Sequence, residues 1–206
     1  MSQLSTLEKL WLGDTRITDA GSVHLKALTG LHELSLGCTQ VTDTGLKHLR
    51  GLSELHRLSL NATAVTDDGL EHLKHLTRLQ ELSLRETKVT GPGLEHLDTL
   101  IHLQVLDLRS APISNTGLTH LPQLPSLRRL SLWGTEVSDT GLERLRGLSR
   151  LEDLSLRATT VTGPGLKHLM GLTRLQKLNL WRTPAIKTDP DAEALQKALP
   201  QLKIVW

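Results

Sequence analysis

Leucine residues recur along the chain as Leu-x-x-Leu-x-Leu, and this motif returns every 24 residues without an insertion. We number the residues of each unit as places 1 to 24, starting from its first leucine. Thr is the most frequent residue at place 9, Val or Ile at place 11, Gly at place 15, and leucine at places 16, 19 and 22. A fixed period of this length indicates a repeat architecture. Place 1 falls at Leu7, Leu31, Leu55, Leu79, Leu103, Leu127, Leu151 and Leu175, and a ninth, partial copy is predicted at Leu199, Leu202 and Ile204.

Each unit predicts one strand and one helical turn. The alternation in Leu-x-Leu-x has a period of two, as in a strand with one buried face, whereas Gly-Leu-x-x-Leu-x-x-Leu has the spacing of a helical face. Neither face is buried within 24 residues, so the units must stack on one another. No linker or low-complexity stretch interrupts the array, which predicts a single domain over residues 1–206.

The full motif LxxLxLxxTxVTDxGLxxLxxL resembles the leucine-rich repeat family over nearly the whole chain. It is most similar to the 24-residue repeats of bacterial proteins and to related repeats in the tails of F-box receptors. The resemblance implies an α/β fold, a right-handed horseshoe-shaped solenoid with a parallel sheet on the concave face and short helices on the convex face.

Several places of the repeat predict structural roles. The hydroxyl of Thr at place 9 is expected to satisfy backbone groups where the chain leaves the sheet, and Ala111 interrupts this series. Two units carry Gly-Pro-Gly, at 91–93 and 163–165, with proline near a first helical position. Acidic or amide side chains at place 13 are predicted helix N-caps: Asp19, Asp43, Asp67, Asn115 and Asp139.

The two ends of the array depart from the repeat. Residues 188–206 predict a C-terminal cap, with a closing strand over 202–206 after a helix. No similar cap is predicted before Leu7. Either the chain is a piece of a longer protein, which is the preferred interpretation, or its first coil associates end to end or tolerates exposure. The apolar stripe of the predicted cap helix consists of Ala192, Leu195, Ala198 and Leu199.

Composition excludes several classes of protein. There are 24 Lys and Arg against 22 Asp and Glu, a net charge of +2, which argues against a nucleic-acid binder. The single cysteine, Cys38, excludes an internal disulfide framework. No apolar run approaches the ~18 residues of a membrane-spanning helix. The first residues lack the features of a secretory signal, which predicts a cytoplasmic location.

Candidate catalytic patterns are better explained as structure. Asp43 and Asp139 each begin Asp-Thr-Gly, the motif of aspartic proteases, but they lie four coils apart and cannot share a proton. The serines at place 5 lie on the sheet face, opposite most histidines. Cys38 fits a turn better than a reactive thiol. The sequence therefore predicts no enzyme and no cofactor.

A column of histidines at place 18 suggests a metal site, but we expect neighbouring helices to hold these side chains too far apart for one zinc ion. A consensus residue on a solvated or half-buried helical face is the preferred interpretation, and no metal is predicted. The column consists of His24, His48, His72, His96, His120 and His168.

The outward-facing strand places carry charges in alternating order. Parallel strands bring such side chains to ~4.8 Å from one another, so we expect a ladder of ion pairs. Place 3 is occupied by Lys9, Glu33, Arg57, Glu81, Val105, Arg129, Asp153 and Lys177.

The four tryptophans are the only aromatic residues besides histidine, and none falls at a core leucine place in this numbering. Trp11 is at place 5, Trp133 and Trp181 are at place 7, and Trp206 is at place 8 of the partial copy. Trp and Arg are enriched at binding hot spots. An alternative is self-packing, with Arg157 between Trp133 and Trp181. The predicted partner-binding residues are Arg85, Arg109, Trp133, Arg157, Trp181, Arg182 and Trp11.

The sequence thus predicts a non-enzymatic module that binds another protein on a concave sheet. Acidic or apolar segments of the partner fit the chemistry of this surface best. The alternative is the substrate-recognition arm of a ubiquitin-ligase-like or effector protein whose other domain is not in this chain. Binding of nucleic acid or anionic glycan is disfavoured by the low net charge. The even period also fits a recently duplicated or designed array.

Overall fold

The computed structural model describes residues 6–206, and its strands form one nine-stranded parallel sheet in chain order. Every strand is three residues long and occupies places 3–5 of its unit in the eight full repeats. The period-two prediction is confirmed, because the central residue points into the core and its neighbours point outward. The strands are β1 Lys9–Trp11, β2 Glu33–Ser35, β3 Arg57–Ser59, β4 Glu81–Ser83, β5 Val105–Asp107, β6 Arg129–Ser131, β7 Asp153–Ser155, β8 Lys177–Asn179 and β9 Lys203–Val205.

Helical segments on the other side of each coil are short, and α-helix and 3-10 geometry alternate among them. The leucine spacing of three in this part of the motif suits the three residues per turn of a 3-10 helix. The α-helices are α1 Asp19–Ser22, α2 Asp43–Leu46, α3 Asp67–Leu70, α4 Asp139–Arg144 and α5 Pro190–Ala198, and the 3-10 segments are Val23–Ala27, Lys47–Leu49, Glu71–Leu73, Pro92–Leu97, Thr116–Gln123, Leu145–Gly147 and Gly163–Leu169.

The core is a continuous stack of buried leucines with Val, Ile and Ala at the remaining apolar places. Equivalent leucines of successive coils, such as Leu34, Leu58 and Leu82, are paired in register and buried. Each buried leucine contributes roughly 1.5–3 kcal/mol relative to its exposed state. Repetition of one side chain at equivalent places therefore fills this core without Phe or Tyr.

The ninth strand does not keep the period of 24. Lys177 of β8 pairs with Lys203 of β9, an offset that places Ile204 beside Leu178. Trp206 then follows beside Leu180, where it packs half-buried against the core cluster. The predicted ninth copy was therefore out of register, and Trp206 lies at a core place instead of the surface. The nine-residue helix α5 is longer than the other convex segments, so the chain takes two more residues to return to the sheet.

The helix that precedes β9 covers the last coil. Ala192, Leu195 and Leu199 are buried against the core, whereas Ala198 is exposed, which corrects the predicted apolar stripe at that residue. Ala198 ends the helix and turns toward solvent before Pro200.

Threonines at place 9 close the turn after each strand. Each hydroxyl donates to the carbonyl oxygen of the leucine three residues earlier, as Thr39 does to Leu36 at 2.6 Å. The predicted role is confirmed, and the bond lies within one coil. In the fifth coil Ala111 has no hydroxyl, and its backbone N–H donates to Leu108 O at 3.2 Å.

The residue at place 8 follows the strand in the left-handed backbone region in all eight repeats. Only one of these residues is glycine, Gly134 with φ 68°. The left-handed conformation costs an L-residue roughly 1–2 kcal/mol relative to glycine, because Cβ approaches the following carbonyl. The seven others are Asp14, Cys38, Ala62, Glu86, Ser110, Ala158 and Arg182.

The polar side chains at place 13 bridge neighbouring coils. The prediction that they are helix N-caps was wrong for the four aspartates, because the preceding Thr or Ser holds that position, whereas Asn115 is the N-cap residue of its 3-10 segment but makes no side-chain cap bond. Asp19 Oδ1 accepts from the backbone N–H of Thr42 at 2.7 Å, and Oδ2 accepts from the Thr42 hydroxyl at 2.7 Å. Thr42 precedes α2, so the carboxylate satisfies a donor of the next coil because the parallel stack places that coil one strand spacing away. The same bridge joins Asp43 to Thr66, Asp67 to Thr90, Asn115 to Ser138, and Asp139 to Thr162.

Glycine at place 15 makes room for this bridge. A Cβ added to Gly69 would lie 2.2 Å from Asp43 Oδ1, and one added to Gly141 would lie 2.5 Å from Asn115 Oδ1. In the fourth coil Gly91 replaces the carboxylate at place 13. Gly91 has φ 128°, and its backbone packs directly on Gly117. The glycines of the repeat therefore permit close contact between coils.

Candidate functional site

The predicted ion ladder forms on the first half of the sheet face. Glu33 accepts from Lys9 Nζ at 2.7 Å and from Arg57 Nη1 at 2.9 Å, and Arg57 Nε lies 3.3 Å from Glu81. The hydrogen bond from Lys9, together with the charge of Arg57, lowers the pKa of the Glu33 carboxyl below its usual value. The charges of this half are therefore internally neutralised.

The ladder is absent from the second half, where the alternation predicted it. Arg129 is in register with Asp153, which is in register with Lys177. Yet within residues 6–206 none of these three side chains forms an ion pair. Val105 has no charge to join the two halves, so the sheet face divides into a paired part and an unpaired part.

Arginine and tryptophan side chains stack in alternation beside the unpaired part. The guanidinium carbon of Arg157 lies 4.3 Å from the ring centroid of Trp133 and 4.1 Å from that of Trp181. Arg182 lies 4.2 Å from Trp181, and Arg109 lies 5.9 Å from Trp133. We refer to Arg109, Trp133, Arg157, Trp181 and Arg182 as the Arg/Trp ridge.

Repetition explains this geometry. Four of the five ridge residues occupy place 7, so consecutive coils bring them to adjacent positions about one strand spacing apart. The arrangement is the predicted self-packing of Arg157 between two indoles. It does not decide whether the ridge binds a partner, and its binding role stays a prediction.

Arg157 is fixed in position but has few partners. Its Nε is buried and has no hydrogen-bond acceptor among the described residues. Two indole faces hold the guanidinium plane by cation–π contact, which leaves the in-plane N–H groups of the guanidinium unused by protein acceptors. A planar, preordered fork of this kind suits a carboxylate ligand.

The other ridge arginines differ in their partners. Arg109 Nε donates to Asp107 at 2.9 and 2.8 Å, and this bond raises the pKa of the Arg109 guanidinium. The role of Asp107 was missed from the sequence, although it occupies place 5 where most coils have serine. Arg182 and Trp181 lie in the turn after β8 and are exposed.

Two predicted residues lie apart from the ridge. Arg85 donates to its neighbour Glu86 through Nε at 2.9 Å and Nη2 at 2.7 Å. Trp11 on β1 is 67% exposed and lines the first half of the sheet face. The seven predicted residues therefore divide into the five ridge residues and two isolated ones.

Two shallow depressions occupy the sheet face. One, of about 300 Å³, is lined by Trp11 and the ion ladder. The second, of about 380 Å³, lies along the ridge and is lined by both polar and apolar residues, among them three arginines. Its border includes Arg129, Ser131, Trp133, Asp153, Ser155, Arg157 and Asn179.

The residues weighed for catalysis have structural partners. Asp43 and Asp139 of the two Asp-Thr-Gly motifs bind Thr66 and Thr162, respectively. Cys38 is exposed in the left-handed turn, and a hydrogen bond to Asp14 raises the pKa of its thiol. A raised pKa lowers the thiolate fraction, which argues against a reactive cysteine.

The histidine column is not uniform. His24 is exposed, whereas His72 is only 7% exposed and its Nδ1 lies 2.8 Å from Arg50 Nη2. Burial and the nearby Arg50 charge lower the pKa of the His72 imidazole. Over the described part of the chain, no group of three or more His, Cys, Asp and Glu side chains is arranged to hold a metal ion.

Family models match two segments of the sequence. The model described as Leucine Rich repeats (2 copies) matches residues 5–48, and the model described as Leucine Rich repeat matches residues 99–121. Comparison with curated proteins finds no match. None of the helices in residues 6–206 is long and apolar enough to cross a bilayer.

Solved structures with the same architecture include two internalins of Listeria monocytogenes. Internalin C2 superposes with a TM-score of 0.79 at 25% identity, over 99% of this chain and 83% of that one. For internalin F the TM-score is 0.60 at 20% identity, over 99% and 68%. The plant peptide hormone receptor RGFR1, solved in complex with RGF2, gives 0.66 at 17% identity, over 98% and 32%. The last two show the fold alone.

The fold defines a solenoid of stacked coils with one parallel sheet. Together with the repeat motif, the two family models and the internalin C2 similarity identify the chain as a leucine-rich repeat protein. Solenoids of this kind generally serve as protein-interaction modules, because stacking produces an extended concave surface.

Proposed function

We propose that the protein is a non-enzymatic recognition module that binds another protein on the second half of its concave sheet, with the Arg/Trp ridge as the anchor. The observation that supports this most directly is Arg157, which is held between Trp133 and Trp181 while its side chain forms no ion pair and its buried Nε has no acceptor among residues 6–206. Prior ordering of the side chain lowers the entropic cost of binding.

Surface chemistry supports this half of the sheet over the other. The first half satisfies its charges internally through Lys9, Glu33, Arg57 and Glu81. Charges that are paired in this way are available to a partner only if the existing ion pairs are broken. On the second half, Arg129, Arg157, Lys177 and Arg182 form no ion pair among residues 6–206, and the tryptophans are ordered. Arg and Trp are the residues enriched at binding hot spots.

The test compares partners captured by the wild-type chain with those captured by the triple variant Trp133→Ala/Arg157→Ala/Trp181→Ala, from a lysate of the source organism. We expect the ridge variant to lose partners that the wild type retains. Trp11→Ala serves as the control, because it removes an exposed tryptophan from the other half of the same face. Equal capture by the ridge variant, with its thermal unfolding unchanged, contradicts the proposal.

A second candidate is the substrate-recognition arm of a ubiquitin-ligase-like or effector protein. The similarity of the repeat to those of F-box receptors favours it, and it uses the same surface. It would be tested by the identity of the captured partners: an adaptor or ligase subunit is expected only if the chain functions in such an assembly.

A further inference from the structure

Cations accumulate on the second half of the sheet face without matching carboxylates. Arg129 and Lys177 on their strands, Arg157 in the ridge and Arg182 in the following turn form no ion pair within residues 6–206. Among residues 6–206, Asp153 is the one carboxylate lining the adjacent depression that no arginine holds. The imbalance is local, because the chain as a whole has a net charge of only +2.

The Arg/Trp ridge has its aromatic faces already occupied. Arg109 and Arg157 both lie over the Trp133 ring, and Arg157 and Arg182 both lie over the Trp181 ring. A partner that stacks on these indoles therefore competes with guanidinium groups that already contact them. The groups that remain for a ligand are N–H donors, and their natural acceptors are carboxylates.

The depression beside the ridge adds neutral donors to these cations. Ser131, Ser155 and Asn179 line it together with Arg129 and Arg157. In the depression on the first half, Glu33 and Glu81 are already paired with Arg57, and Asp107, which lines both depressions, is held by Arg109. An acidic ligand therefore meets unpaired cations on the second half of the face and only paired ones on the first, which gives it a defined position.

We infer that the second half of the concave face binds an acidic, extended protein segment, whose carboxylates pair with Arg157 and Arg129 in the ridge-side depression. This inference rests on the proposed function and specifies the chemistry of the partner. Two acidic side chains on one face of an extended segment are ~7 Å apart, between one and two strand spacings, so they reach cations on neighbouring strands.

The experiment measures fluorescence anisotropy of a fluorescein-labelled hexaglutamate peptide with the whole chain at ~0.05 M salt, where surface electrostatics are weakly screened. We expect saturable binding that weakens as salt rises, and no binding of hexaglutamine. Arg157→Gln and Arg129→Gln should each weaken binding by about tenfold, as expected for loss of one charge-assisted hydrogen-bonded pair.

Arg57→Gln is the matched control. It makes the same charge change at the same strand place as Arg129→Gln, but Arg57 is already paired with Glu33 and Glu81. It should change hexaglutamate affinity less than about twofold, since only a screened charge is lost. Equal weakening by Arg57→Gln, or no binding of hexaglutamate by the wild type, overturns the inference.

Two further outcomes separate the alternatives. Binding of a hexathymidylate oligonucleotide as tight as that of hexaglutamate would show a general polyanion site and overturn the assignment to acidic protein segments. If hexaglutamate fails to bind while the ridge variant still loses its captured partners, only the acidic chemistry is refuted. If the ridge variant keeps all its partners, the proposed function itself fails.

Discussion

The carboxylate of Asp43 in the second coil accepts two hydrogen bonds from Thr66 in the third, one from its backbone N–H at 2.8 Å and one from its hydroxyl at 2.7 Å. Thr66 also accepts from the N–H of Asp68, at the start of α3. One carboxylate therefore links the stacking of two coils to the start of the next helix. This contact, repeated along the array, stabilises the interface between coils in addition to leucine burial.

Asp43→Ala should destabilise the chain by about 2–3 kcal/mol, because two hydrogen bonds to a charged acceptor are lost and a half-buried N–H remains unsatisfied. Urea unfolding monitored by circular dichroism measures the change. Asp68→Ala is the control, because Asp68 is the exposed second residue of α3 and its substitution also replaces an aspartate by alanine. Asp43→Asn should cost less than Asp43→Ala, because Asn115 makes an equivalent bridge to Ser138. Similar losses for Asp43→Ala and Asp68→Ala would contradict the role of the bridge.

Gly69→Ala should destabilise the array by about 1–3 kcal/mol through overpacking. The added methyl group would lie 2.2 Å from Asp43 Oδ1 and force the carboxylate away from Thr66. Gly51→Ala is a suitable control, because a Cβ at Gly51 meets nothing within 4 Å. In the background of Asp43→Ala, the cost of Gly69→Ala should shrink, and strictly additive losses would argue against this contact.

Much of the architecture was predictable because a period of 24 with no insertion determines which residues are neighbours. Arg157 could be placed between Trp133 and Trp181 for that reason alone. The first half of the ion ladder followed from the same argument. The fold and the ridge were thus accessible from periodicity, without any knowledge of side-chain conformation.

The remaining features depended on choices between neighbours that periodicity does not resolve. Asp43 satisfies a donor in the next coil instead of one in its own helix, and both roles use the same residue type at the same place. Trp206 was misplaced because Leu199, Leu202 and Ile204 imitate the repeat motif, while the longer helix α5 shifts the register. The second half of the ladder fails although Arg129 and Asp153 are in register.

Ala62→Gly should stabilise the protein by about 0.5–1 kcal/mol. Ala62 has φ 50°, and the relief of left-handed strain exceeds the extra backbone entropy that glycine has in the unfolded chain. Thermal unfolding by calorimetry would show a higher midpoint. Ala64→Gly, two residues further on and outside the left-handed region, should instead lower the midpoint. A destabilised Ala62→Gly variant would show that the turn imposes no strain on alanine.

The stability of the chain should fall between pH 7 and pH 5 in a way that depends on His72. Burial, followed by the charge of Arg50, lowers the pKa of His72 in the folded state below its ordinary value of 6.5. The unfolded chain therefore binds a proton at a higher pH than the folded chain does, and the stability present above pH ~6.5 is lost as pH falls below it.

His72→Gln should flatten this part of the stability profile, measured as urea midpoints at successive pH values. His75→Gln is the control, because His75 is exposed and lies on the same convex surface. The variant at position 72 should also be less stable than the wild type at pH 8, since glutamine packs less well in a site shaped for the imidazole. An unchanged pH dependence in His72→Gln would mean that another group, and not the buried imidazole beside Arg50, determines the loss of stability in mild acid.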